Sequence, residues 1–304
     1  MSTQEMDPAL AVELSGERTP VRVSVIIPAK NEESRIGAIV SDVLARHPEF
    51  EVLVIDDGSS DGTVSEAKAA GAAVVSHPYS KGNGAAIKTG VRSATGDVLV
   101  FMDGDGQHLP EDIGALLLRL QSGYDMVVGA RCATGQANSS RRIANGVFNR
   151  FASWMVGHQI MDLTSGFRAA YRERFVEFLY LLPNGFSYPT TSTMAFFRSG
   201  YSVSYVPIRV LPRHGRSHIF ALRDGIKFLL IIFRVGTLYS PLRIYFPVAF
   251  ALGVLGLGYY AYTFLTYGRF TNMSALLLIG SLVTFLFGLL SEQITSLIYK
   301  RDRM

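Results

Sequence analysis

The stretch Asp97-Val98-Leu99-Val100-Phe101-Met102-Asp103-Gly104-Asp105-Gly106-Gln107 decides the fold. A short apolar run bounded by glycine predicts a buried strand, so Asp103 and Asp105 are expected where that strand ends. This is the usual ligand edge of an open α/β sheet. In extended chain, residues two apart point the same way and lie about 6 to 7 Å apart. Both carboxylates, with Gln107 next in phase, can therefore converge on one hard cation. An all-oxygen donor set favours magnesium or manganese. An acidic turn with glycine at positive φ is the competing reading of an isolated D-x-D. An EF-hand loop is excluded, because counting from Asp103 puts His108 where glycine is needed and Gly114 where glutamate is needed.

The neighbouring segments supply the context. Arg22–Pro28 is an expected first strand, followed by a helix with Ile36, Ile39, Val40 and Val43 at helical spacing. Glu51–Ile55 is a second strand running into Asp56-Asp57-Gly58-Ser59-Ser60-Asp61-Gly62-Thr63, where Asp61 or Ser60 can cap the next helix. Ala72–Ser76 is a third strand, followed by Lys81-Gly82-Asn83-Gly84 and a helix through Ala94. Four strand–helix alternations predict a largely parallel, doubly wound sheet. Its topology gathers Pro28 to Glu32, Asp56-Asp57, Lys81-Gly82 and Asp103 to Gln107 on one rim. Carboxylates, a lysine and glycines without Cβ suit a nucleotide diphosphate with its cation. Ile87 stands where both a Walker loop and G-x-G-x-x-G require glycine, so neither fingerprint is present.

Composition bounds the rest. Of 304 residues, 48% are apolar and only 18% charged, a surplus of apolar residues for a soluble enzyme. The single cysteine excludes an internal disulfide and a multi-cysteine metal site, and fits a reducing compartment. A net charge of +4 is too small to argue for nucleic acid. Residues 1–20 are polar and lightly acidic, without a secretory pattern, and are expected to form a flexible tail.

The surplus lies at the C-terminal side. Ile244–Gly268 and Phe270–Ser291 carry no charge, and each exceeds the roughly 20 residues that cross a bilayer core. Arg234 and Arg243 precede the first span and Lys300, Arg301 and Arg303 follow the second, while only Arg269 lies between. The positive-inside rule then places the preceding domain and both termini in the cytoplasm. Glu292 is expected near that interface, hydrated or paired. Within Ile219–Leu238, Arg223, Lys227 and Arg234 fall on one stripe of an otherwise apolar helix, the pattern of a helix lying on a membrane surface or of a buried amphipathic one. Gly253–Gly258 permits close helix packing and, weakly, self-association.

Five ordered motifs now converge: V-I-I-P-A-K-N-E-E (25–33), V-I-D-D-G-S-S-D-G-T (54–63), K-G-N-G-A-A-I-K-T-G (81–90), A-T-G-D-V-L-V-F-M-D-G-D-G-Q-H-L-P-E (94–111) and T-S-G-F-R (164–168). Together they resemble family 2 glycosyltransferases of the GT-A fold, and most of all the dolichyl- and polyprenyl-phosphate sugar synthases. The resemblance implies a GT-A catalytic domain over 21–218, an interfacial helix region over 219–240 and two transmembrane helices over 241–304. It implies inverting transfer from a nucleotide sugar of the GDP-mannose or UDP-glucose type to polyprenyl or dolichyl phosphate. Carried over by position, Pro28, Lys30, Glu32, Asp56 or Asp57, Lys81 and Gly104 hold the nucleotide, and Asp103, Asp105 and Gln107 hold Mg2+ or Mn2+. Arg131, Arg141, Arg213 and Ser217 face the acceptor phosphate, a task suited to arginine's bidentate fork.

Two segments depart from the family pattern. Gly185-Phe186-Ser187-Tyr188-Pro189-Thr190-Thr191-Ser192 stands where many such synthases carry a Gln or Glu cluster. Arg213-His214-Gly215-Arg216-Ser217-His218 is one residue shorter than R-x-x-G-x-S-K and ends in histidine. A related transferase acting on a glycolipid or glycan hydroxyl, which would need a general base, and a catalytically silent membrane-anchored nucleotide-binding protein are the alternative readings.

Overall fold

The structure, a computed structural model, describes residues 21–131, 139–185, 187–211, 233, 236–237 and 240–300, with only the backbone of 139–145 and 298–300. The tail over 1–20 and residues 301–304 lie outside it, as does most of the expected interfacial helix. A seven-stranded sheet has the order β3-β2-β1-β4-β6-β5-β7. Its strands are β1 (Val23–Ala29), β2 (Glu51–Asp56), β3 (Ala73–Ser76), β4 (Val98–Phe101), β5 (Met126–Arg131), β6 (Arg168–Tyr171) and β7 (Val203–Ile208). All pairings are parallel except those of β6, which runs antiparallel between β4 and β5.

The central strands are buried on both faces, which is why they read as continuous apolar runs. In β1, Val25 and Ile27 pack into one core with Ile36, Val40 and Val43 of α1 (Glu33–Arg46), while the alternate residue Ile26 faces the other core. That second core holds Ile87 and Val91 of α3 (Asn83–Ser93), beyond α2 (Thr63–Ala69) in the chain. It also holds Phe101, Phe175 and Phe196, with Phe101 and Phe175 centred 4.6 Å apart. The remaining helices of the domain are α4 (Ile113–Gln121), α5 (Ser139–Val156), α6 (Arg172–Val176) and α7 (Tyr188–Arg198).

Helices α8 (Pro241–Tyr267) and α9 (Asn272–Lys300) form a hairpin whose members are long and apolar enough to cross a membrane. Few of their side chains are covered by the protein, and Leu265 is 84% exposed. Gly253 and Gly256 face Ser281 and Leu278 of the same hairpin, where a Cβ would come within 3.0 Å, and the Ser281 hydroxyl donates to the Ala249 carbonyl at 2.7 Å. These glycines therefore close the hairpin itself. Glu292 is paired, and its partner is on the sheet domain: its Oε1 accepts from Arg198 of α7 at 2.8 Å.

Candidate active site

A cleft of about 610 Å3 opens along the C-terminal edges of β1, β2 and β4. Its first wall is the end of β1 and the loop that follows, where Pro28, Lys30 and Glu32 line the space. Asn31 takes a left-handed conformation with φ 55°, and its side-chain oxygen accepts from the Ser60 amide while its own amide donates to Ser59 Oγ. Asparagine tolerates this conformation better than most residues, so it ties the loops after β1 and β2 together. Gly62, not Asp61 or Ser60, occupies the N-cap of α2 and no side chain caps it, so the expected cap is not formed. Asp61 Oδ1 instead accepts from the Thr63 amide at 3.1 Å, one residue outside the cap.

Asp57 anchors the second wall. Its Oδ1 accepts from His77 Nδ1 and the Lys81 amide, both at 2.8 Å, and its Oδ2 from the Ser80 hydroxyl at 2.7 Å and the Gly82 amide at 2.9 Å. His77 Nε2 in turn meets Thr89 Oγ1 at 2.9 Å. Burial alone would push the Asp57 carboxyl up, but these four donors hold it down, at about 2. Gly82, with φ 101°, packs its Cα against the Asn184 carbonyl, where any side chain would clash.

The acidic loop after β4 forms the floor. The chain is not extended here: Gly106 turns it with φ 73°, and the Gln107 amide donates to Asp105 Oδ1 at 3.1 Å. The strict alternation expected of Asp103, Asp105 and Gln107 is therefore broken, although all three line the cleft. The Gln107 side-chain amide donates to the Leu211 carbonyl at 3.2 Å. Arg35 of α1 fixes the loop from behind by donating to the Asp105 carbonyl. Burial raises the Asp103 carboxyl above its ordinary range, His108 draws it down and Asp105 pushes it up again. A Cβ on Gly166 would lie 2.7 Å from Asp103 Oδ2, so the glycine keeps that oxygen clear. Two carboxylates on one loop, in a space kept open by glycine, offer the oxygen donors that suit a hard divalent cation.

The far wall supplies cations. Arg131, at the end of β5, donates through Nε to Asp162 Oδ2 at 2.8 Å and through Nη2 to Asp162 Oδ1 at 2.9 Å and to Thr164. Burial opposes both charges, yet the bidentate pairing outweighs it, lowering the Asp162 carboxyl and raising the Arg131 guanidinium. Arg168 is fully buried beneath this wall and donates to the carbonyls of Ser165 and Pro189 and to the hydroxyls of Ser192 and Thr193. It thereby fastens β6 to the first two turns of α7. Tyr188 closes the same corner, its hydroxyl donating to the Gly166 carbonyl at 3.0 Å, and burial raises its pKa.

Residues 24–179 match the sequence family described as Glycosyl transferase family 2, and residues 240–297 match the GtrB C-terminal hairpin. Over 293 residues the chain is 32% identical to glycosyltransferase AglJ of Haloferax volcanii, covering 92% of this chain and 95% of that protein. The chain is a family 2 glycosyltransferase. It is also 34% identical to the polyprenol monophosphomannose synthase of Mycolicibacterium smegmatis, over 64% of this chain and 80% of that one. Among solved structures, glucosyl-3-phosphoglycerate synthase of Mycobacterium tuberculosis, in complex with Mn2+, UDP and phosphoglyceric acid, shares the fold. It superposes with a TM-score of 0.58 at 23% identity, over 70% of this chain and 78% of that one.

In this glycosyltransferase, Pro28, Lys30, Glu32, Asp57, Asp103, Gly104, Asp105, Gln107 and Arg131 come together around one cleft. Asp56 and Lys81 are not among the lining residues. Asp56 is buried and accepts from the Ser59 amide, and Lys81 Nζ sits 5.8 Å from the centre of the Tyr79 ring. The Arg141 side chain, Arg213 and Ser217 lie outside the described residues, as do Arg216 and His218. Sequence reasoning passed over Arg35, His77 and His108, which do not line the cleft but contact Asp105, Asp57 and Asp103 that do. It left Arg168 without a role, because the partners that bury it, Pro189, Ser192 and Thr193, lie on α7 and leave no mark in its own strand.

Proposed function

We propose that this glycosyltransferase moves one sugar from a nucleoside diphosphate sugar, of the GDP-mannose or UDP-glucose type, to polyprenyl or dolichyl phosphate, with inversion at the anomeric carbon. The observation that carries this reading is the opposition of Asp103 and Asp105 to Arg131 across one cleft, in a domain tied by Arg198 to an apolar hairpin. The names of its relatives support it, a polyprenol monophosphomannose synthase and a dolichyl-phosphate hexose transferase that is 30% identical over 67% of this chain. Residues 21–218 would form the catalytic unit, 219–240 an interfacial region and 241–304 the membrane anchor, with the cleft on the cytoplasmic side.

Pro28, Lys30 and Glu32 would seat the base and ribose, with Asp56 or Asp57 and Lys81 completing the loops beside them. Asp103, Asp105 and Gln107 would hold Mg2+ or Mn2+, which when bound neutralises the departing nucleoside diphosphate. The acceptor phosphate has a second pKa near about 6 and is largely dianionic at neutral pH, so it attacks without a general base. Arg131, held in a fixed fork by Asp162, would orient that phosphate together with Arg141, Arg213 and Ser217.

The test is incubation of the detergent-solubilised full chain with Mg2+ or Mn2+, polyprenyl phosphate and a panel of UDP- and GDP-sugars, followed by mass spectrometry of the lipid. A lipid heavier by one sugar, absent with EDTA, is the expected result. Nucleotide release without a modified lipid would overturn the acceptor assignment.

A further inference from the structure

A second cavity, of about 360 Å3, lies where the domain meets the hairpin and is lined by Arg198, Ser240, Leu242, Arg243, Phe246 and Glu292. It shares no lining residue with the catalytic cleft. Helix α7 connects them, with Thr190 in the cleft wall and Arg198 in the cavity. Eight residues at 1.5 Å each separate the two by about 12 Å along that helix. A phosphate in this cavity is therefore too far from the cleft to act as nucleophile.

The charges do not cancel. Arg198 pairs with Glu292 at 2.8 Å, and its Nη1 lies 3.4 Å from the Ser240 hydroxyl. The other oxygen of Glu292 accepts from the Leu242 amide at 3.2 Å, so the first turn of α8 is already capped by a carboxylate. Arg243 donates through Nη1 to the Trp154 and Met155 carbonyls, at 2.8 and 2.7 Å, and no carboxylate pairs with it among the described residues. Among the described residues two arginines thus face one carboxylate, leaving one positive charge over. Leu242 and Phe246 stand one turn apart on α8, and Phe246 is 52% exposed, so an apolar track leads from the cationic end along the hairpin.

We propose that this cavity holds the headgroup phosphate of an anionic glycerophospholipid of the surrounding bilayer, with an acyl chain lying along Leu242 and Phe246. One phosphodiester negative charge balances the excess, Arg243 and Ser240 supply the donors, and the site sits where a helix entering the bilayer meets headgroups. The occupant is distinct from the acceptor lipid. The proposal rests on the hairpin being in the membrane, which is tested separately by resistance of the full chain to alkaline carbonate extraction.

The experiment is native mass spectrometry of the full chain released from detergent containing equal phosphatidylglycerol and phosphatidylcholine. The expected result is phosphatidylglycerol retained in preference to phosphatidylcholine. Arg243→Gln should lower that retention about tenfold, the worth of one charge-assisted hydrogen bond, and Arg198→Gln should lower it as well by leaving the Glu292 carboxylate unopposed in the cavity. Both keep an amide donor, and Arg46→Gln, which removes one charge that does not line the cavity, should leave retention unchanged. Equal retention of the two lipids, or retention untouched by both cavity variants, would overturn the proposal while a carbonate-resistant chain keeps the membrane reading. One-for-one displacement of phosphatidylglycerol by polyprenyl phosphate would also overturn it, because the cavity would then belong to the acceptor.

Discussion

Replacing Asp57 by asparagine should loosen the lip of the cleft by an amount that can be worked from its hydrogen bonds and from the pKa displacement those bonds cause. The carboxylate receives four donors, two on each oxygen. In Asp57→Asn one oxygen becomes an NH2 group. If it faces Ser80 and Gly82, the serine hydroxyl can turn to accept, but the Gly82 amide is left facing a donor. Losing one charge-assisted bond costs about 1.5 to 3 kcal/mol. The same bonds displace the carboxyl from 3.8 to about 2, which corresponds to about 2.4 kcal/mol at neutral pH. In a domain of this size such a loss lowers Tm by roughly 5 to 10 °C. The pH dependence has a definite sign. The folded value lies below the unfolded one, so the stabilisation is complete above about pH 5 and is lost as pH falls from the unfolded value toward about 2. By pH 3 the gap between wild type and Asp57→Asn should have shrunk to about half. Thermal unfolding of both proteins in detergent, followed by near-ultraviolet circular dichroism at pH 7 and pH 3, measures it. Midpoints within 2 °C at pH 7, or a gap that widens at pH 3, would refute the reasoning.

Further outcomes follow from the same contacts. Asp105→Ala should reduce sugar transfer at least about a hundredfold, and EDTA should do the same to the wild type until Mg2+ or Mn2+ is restored, measured as labelled lipid formed. Arg168→Met strands two carbonyls and two hydroxyls in the core and should cost about 3 kcal/mol; Arg168→Lys, lacking the fork, should recover less than half in thermal unfolding. Gly84→Ala puts a Cβ into the Pro183 carbonyl oxygen, and either an unfolded product or a Tm lowered by about 5 °C or more is expected. Glu292→Gln removes the charge that both Arg198 and the Leu242 amide share, and should increase proteolysis between domain and hairpin, read by limited trypsin digestion.

The parts legible in the sequence were those whose apolar period is simple. The strands ending at Ala29, Asp56, Ser76 and Phe101 fall within a residue or so of their expected bounds, because each is a short apolar run with proline or aspartate at or just beyond its end. Strands β6 and β7 were not foreseen. Arg-Ala-Ala-Tyr has neither alternation nor bulk, and its arginine, which argues for solvent in any pattern, is buried by contacts from a helix some twenty residues on. The rim residues were legible because parallel topology forces strand ends together. The turn at Gly106 was not, because the spacing of Asp103, Asp105 and Gln107 suits extended chain equally well. Asp57 shows the same limit: its residue type marks the site, while its bonds show that it shapes the Ser80–Gly82 lip.

The antiparallel insertion of β6 has a consequence for how the chain is made. Strands β1 to β4 can zip together as soon as residue 101 has left the ribosome, since each finds its neighbour among earlier ones. Strand β5 has no such neighbour; it pairs only with β6 and β7, both synthesised later. At about 5 to 20 residues per second the outer edge of β4 therefore waits for several seconds, unpaired and apolar, until residues 168–171 emerge. An open edge of that kind recruits foreign strands. A nascent chain stalled between β5 and β6 should thus be the most aggregation-prone intermediate of biosynthesis and the one most dependent on chaperones, with the acidic floor of the cleft already formed and its arginine wall still missing.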